Sequence, residues 1–139
     1  MQWIFYAILS AFFAGLVALF GKIGISGVDS TLATAIRAGI MFVFLTVVVL
    51  AGKKLSFINQ LDSKAMFFII LSGVAGALSW LAYFLALKYG KVSQVASIDR
   101  LSVVFAVVMA VLFLSEKVNW KIIIGMIAMV IGSILVALG

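Results

Sequence analysis

Residues 92–114 read VSQVASIDRLSVVFAVVMAVLFL, a run long enough to cross a bilayer as one helix, yet with Asp99 and Arg100 side by side inside it. A hydrocarbon core of about 30 Å needs about 20 apolar residues at a rise of about 1.5 Å each. One charge in such a span costs roughly 2.5–3.5 kcal/mol. Two adjacent charges therefore call for a partner, a water-filled cavity or a task.

Composition sets the class. Of 139 residues, 67% are hydrophobic and 10% are charged, against roughly 25% charged in a soluble domain. A soluble chain this short cannot bury that much apolar surface, so an all-α integral membrane protein is expected, as a single domain over 1–139. The formal net charge is +6. Most lysines flank apolar runs, where they anchor to headgroups and set topology, so the basic balance speaks for a lipid bilayer and against nucleic acid. The chain has no Cys and no His, which removes thiolate and imidazole metal ligands and the commonest general base. No metal site, no cofactor and no catalytic residue is expected, and the reading is not that of an enzyme. The first apolar run lacks a basic leader segment and leads into further spans. It reads as a retained helix rather than a cleaved signal.

Five transmembrane helices are expected, at about 3–25, 31–51, 64–88, 92–114 and 120–138. In the first, Ala7, Ala11, Ala14, Ala18 and Gly21 share one face, a surface for close helix packing. Lys22 lies near its end, within snorkelling reach of the headgroups. Gly27 and Asp29 mark a turn and cap, and Arg37 lies about six residues into span two, roughly 9 Å deep. Lys53 and Lys54 mark an interface, and Asp62 or Ser63 can cap span three. That span carries a small and polar stripe of Ser72, Gly76, Ser79 and Tyr83, with Trp80 beside it. Gly90 is a helix stop. Asn119 can cap the last span, where Gly125, Ala128 and Gly132 share a side. With no proline in the chain, any kink must come from glycine or serine.

An odd number of spans puts the two ends on opposite faces. Spans two and four then begin on the same side, with Arg37 and Asp99 at roughly 9–11 Å depth by helix rise. Trp80 counts back to a similar level. One half of the bilayer collects Arg37, Trp80, Tyr83, Asp99 and Arg100, and these five are the candidate solute-binding residues. Lys53, Lys54, Lys64, Lys117 and Lys121 outnumber Lys22, Lys88 and Lys91 on the other side. The margin favours a cytoplasmic N-terminus and is small enough for insertion both ways.

The run ALKYGKVSQVASIDRLSVVFAVVMAVLFLSEKVNWKIIIGMIAMVIGSILVAL resembles the end of the EamA family in the drug/metabolite transporter superfamily. Glu116 in LFLSEK, Gly125, Gly132 and Arg37 in TAIRAGI carry the match. The IDRLS segment at 98–102 resembles the single-repeat group. The resemblance implies one half of the ten-helix inverted-repeat fold. It also implies a multi-pass protein of the inner (plasma) membrane of a prokaryote that moves a small organic solute by alternating access. Double-length members place solute near the midplane between two inverted repeats. A five-helix unit then calls for a dimer, with itself antiparallel or with a paralogue, and Gly125, Ala128 and Gly132 are the candidate interface. Small multidrug resistance relatives couple protons to drugs through an acid in the first helix. Span one here has none, so that mechanism does not carry over.

Each signal has a plainer alternative. Asp99 with Arg37 or Arg100 can be an ion pair that only fixes helix positions. Trp80 and Tyr83 can be packing residues, and the glycines of the last span can pack within the chain. Beside the metabolite transporter stand two other readings, a lipid-linked sugar flippase subunit and a non-transporting membrane partner.

Overall fold

The computed structural model describes residues 2–139, the side chain of Asn59 excepted. The described chain is helical. Helix α1 spans Gln2–Gly24, α2 Ser30–Ala51, α3 Ser63–Tyr89, α4 Val92–Asp99, α5 Ser102–Leu114 and α6 Trp120–Leu138, with a 3₁₀ segment over Lys54–Gln60. Among the described residues, five stretches are long and apolar enough to cross a membrane, because α4 and α5 together make one such stretch over Val92–Leu114. Phe42, Phe44 and Phe105 are exposed in the middle of their spans. Such side chains are at home in lipid, where the helix satisfies its own backbone.

The helix starts follow the capping chemistry of their residues. Asp29 Oδ1 accepts from the Leu32 amide at 2.9 Å, Asp62 Oδ1 from the Ala65 amide at 2.6 Å, and Asn119 Oδ1 from the Ile122 amide at 3.0 Å. Each satisfies an amide that has no partner within its own helix. The turn between α1 and α2 places Gly27 at φ 79°, a left-handed conformation that glycine adopts without steric cost.

The chain divides into two compact units. One comprises Met1–Lys22 with Tyr89–Gly139, the other Ile23–Lys88. In the first, α4 packs along α6. The Gln94 side-chain amide donates to the Ala137 carbonyl at 3.0 Å, and its oxygen accepts from the Lys91 amide at 3.4 Å. It thereby serves an unpaired C-terminal carbonyl of α6 and an N-terminal amide of α4 at once. Lys22 does more than snorkel, since its ammonium donates to the Gly90 carbonyl at 2.9 Å. The expected small face of α1 is buried or half-buried at Ala14, Ala18 and Gly21, while Ala7 and Ala11 are exposed. In the second unit α2 and α3 meet through the side chains described below, and the 3₁₀ segment packs against α2.

Asn119→Ala removes the side-chain acceptor at the start of α6 and should lower stability by about 1 kcal/mol. Asn119→Asp should retain it. Unfolding in mixed micelles with rising SDS, followed by circular dichroism, measures both; equal loss in the two variants would remove the cap from the account.

Candidate functional site

The site begins with one charge. Arg37 is half-buried on α2, with Thr34 one turn earlier on the same face. Thr34 Oγ1 donates to the Ser30 carbonyl at 2.7 Å, so that hydroxyl is spent on the helix itself. The Arg37 guanidinium carbon lies over the Trp80 ring, 3.6 Å from its centroid, and 5.4 Å from the centroid of Phe84.

Helix α3 presents these rings by simple spacing. Residues three and four apart share a helical face, and Trp80, Tyr83 and Phe84 obey that rule. Trp80 meets Tyr83 edge-to-face at 5.6 Å between centroids, Trp80 lies 6.0 Å from Phe84, and Tyr83 lies 6.2 Å from Phe84. Phe84 and Leu87 are buried, Trp80 and Tyr83 half-buried. The stripe expected from the sequence is therefore rotated. Ser72 and Ser79 are exposed, and the covered face runs Gly76, Trp80, Tyr83, Phe84, Leu87. Phe84 was not among the candidates, and the available signal was its place one turn beyond Trp80.

Magnitudes say what this contact achieves. Arginine inside a span costs roughly 2.5–3.5 kcal/mol. A cation over an aromatic face recovers roughly 0.5–2 kcal/mol, most when desolvated. The rings hold the guanidinium in place but leave about 1 kcal/mol or more for water or an anion to supply.

Asp99 and Arg100 belong to the other unit and are both exposed. They stand where the fourth crossing changes its winding. The Arg100 amide donates to Ser97 at 3.2 Å, Leu101 to Ile98 at 2.9 Å, Val103 to Arg100 at 3.1 Å and Val104 to Leu101 at 2.9 Å. These are three-residue bonds, the tighter 3₁₀ pattern that mid-helix often marks a hinge or strain. No proline causes it. Ser97 Oγ donates to the Gln94 carbonyl at 2.9 Å, a bond of the kind that bends helices. Span four, read as one helix over 92–114, is one crossing made of two.

On α6, Gly125 and Ala128 are exposed and Gly132 is half-buried. A methyl group added at Gly125 or Gly132 would meet nothing within 4 Å. The face that α6 turns to its own chain is carried instead by Met126, Val130, Ser133 and Ala137. Among the described residues, no group of three or more acidic, His or Cys side chains is placed to hold a metal ion.

Among the described residues, five helices long and apolar enough to cross a bilayer, with a cation held on rings between two of them, define a multi-pass α-helical membrane protein. The chain belongs to the EamA-like transporter family, whose profile matches residues 1–138. It is 38% identical over 136 residues to an uncharacterised transporter encoded 3′ of cobO in a Sinorhizobium species, covering 98% of this chain and 96% of that protein. No solved structure matches it significantly.

If the Arg37–Trp80 contact carries the energy assigned to it, a double-mutant cycle of Arg37→Gln and Trp80→Leu should give a coupling of about 1 kcal/mol. Strictly additive losses in SDS unfolding would mean that the ring only fills space.

Proposed function

We propose that this chain is a half-size secondary transporter that moves a small organic metabolite across the cytoplasmic membrane of a prokaryote. It works as a dimer with alternating access. The observation that carries the reading is the Arg37 guanidinium held over Trp80, beside Tyr83 and Phe84, inside a membrane hairpin. A charge fixed on rings within a span is costly to keep. It suits a path in which an organic solute meets a cation and an apolar wall together. In their unit Arg37, Trp80 and Tyr83 are the proposed solute contacts. In the other unit, taken by itself, the proposed contacts are Asp99 and Arg100, at the tightened turn of the fourth crossing.

A single copy supplies one five-helix half. Transporters built from two repeats bind solute near the midplane and rock one repeat against the other. A second copy, inserted in the opposite sense, or a paralogue supplies the missing half. The face of α6 with Gly125, Ala128 and Gly132 is the proposed contact. Small residues let membrane helices approach closely, and this face meets nothing within the chain at its glycines.

Reconstituted vesicles screened with labelled amino acids, carboxylates and sugars should show uptake of at least one class by the wild type. In Arg37→Ala that uptake should fall at least about tenfold, a loss of about 1.4 kcal/mol of transition-state stabilisation. No movement of any class would favour a membrane subunit that serves a partner. Separately, Gly125→Leu with Gly132→Leu should shift the purified protein from dimer to monomer, read by light scattering in detergent. A dimer that survives both changes places the contact elsewhere.

A further inference from the structure

We infer that the Arg37 site takes organic anions through a carboxylate and refuses organic cations of the same shape. The inference rests on the transporter reading above, and it deepens that reading by naming the substrate class.

The face of an aromatic ring attracts a cation. Here the face of Trp80 is already occupied. The guanidinium carbon of Arg37 stands 3.6 Å above its centroid and 5.4 Å from that of Phe84. An incoming ammonium or amidinium would have to displace the guanidinium from that face or bind a neighbouring ring beside it, in either case as a like charge. An anion faces neither obstacle. A guanidinium that lies over a ring still offers N–H donors along its edge, and their fork matches the two oxygens of a carboxylate.

The unit that holds Arg37 supplies no internal anion for it. The acidic residues of Ile23–Lys88 are Asp29 and Asp62. Each stands just ahead of a helix and accepts a backbone amide as its cap. Asp29 is eight residues from Arg37, about 12 Å along the helix axis. Ring contacts alone leave part of the cost of the buried cation uncovered, and a bound carboxylate would cover it. Around the same point Trp80, Tyr83 and Phe84 form a ring-lined wall, which suits a compact apolar or aromatic body attached to that carboxylate.

The test uses three probes of one shape and three charges: benzoate, benzamide and benzamidinium. The chain has three tryptophans. Trp3→Phe with Trp120→Phe leaves Trp80 as the reporter, in the full chain in lipid nanodiscs. Benzoate should change Trp80 fluorescence with a Kd in the range of about 1 mM, and the other two should bind at least about tenfold more weakly. Arg37→Gln should erase the preference, and Arg37→Lys should weaken it because a point charge lacks the fork. Equal or tighter benzamidinium binding overturns the inference, as does a benzoate response that survives Arg37→Gln, or no response to any probe. The comparison among probes needs no Arg37 variant, so it stands even where Arg37→Gln fails to fold. The two readings also fail separately. Benzoate binding without uptake of any solute removes the transport reading alone, whereas uptake confined to cations removes the substrate class alone.

Discussion

Keeping one guanidinium in a bilayer is the constraint around which the second unit is arranged. Lipid offers Arg37 nothing, so the neighbouring helix must. Helix α3 answers with rings at three- and four-residue spacing, and the Trp80 face meets the charge at van der Waals distance. This choice differs from a salt bridge in its consequences. A carboxylate partner would neutralise the arginine and end its usefulness to an anion. A ring attracts the cation through its quadrupole and leaves its net charge intact. The contact therefore stabilises the hairpin while the positive charge stays available.

The first unit solves a different problem by a different route. Its polar groups tie loop and helix ends together. Gln94 bridges the start of α4 and the end of α6, and Lys22 holds the Gly90 carbonyl. These contacts use strong donors on backbone groups that α-helices leave unsatisfied at their ends. Between these anchors and α5, the crossing carries its tightened turn at Arg100 and Leu101. A segment fixed at its start and wound differently in its middle has a defined place at which to bend.

Much of this was legible in the sequence, for identifiable reasons. Span lengths follow from the bilayer, and caps follow from short polar side chains, so Asp29 and Asn119 could be read directly and Asp62 as one of two choices with Ser63. Depth counting along two antiparallel spans put Arg37 and Trp80 at a similar level, but the contact between them was not legible, and the partner expected for Arg37 was Asp99. What could not be read was which way α3 is turned. A soluble helix advertises its buried face by polarity. A membrane helix is apolar all round, so Ser72 and Ser79 gave no reliable orientation and Phe84 looked like any other lipid-facing ring. The division of the fourth crossing was hidden for a related reason. A serine back-bond at Ser97 lies beside it, and bonds of the same kind at Thr34 and Thr46 leave α2 continuous.

The exposed residues of the crossings then separate into two kinds. Phe105 turned outward costs nothing in lipid, and hydrophobic exposure alone asks for no partner. Asp99 and Arg100 are another matter, because both are exposed within a crossing. Neighbours in sequence on a helix do not face each other, so the two cannot simply neutralise one another. Left in hydrocarbon they would cost together about 5–7 kcal/mol on insertion scales, a large part of the 5–15 kcal/mol that holds an ordinary fold together. A chain that keeps both must supply them with water or with another polypeptide. The second five-helix unit proposed above would supply either. That requirement is set by solvation, and it would hold for any sequence that placed two charges at this depth.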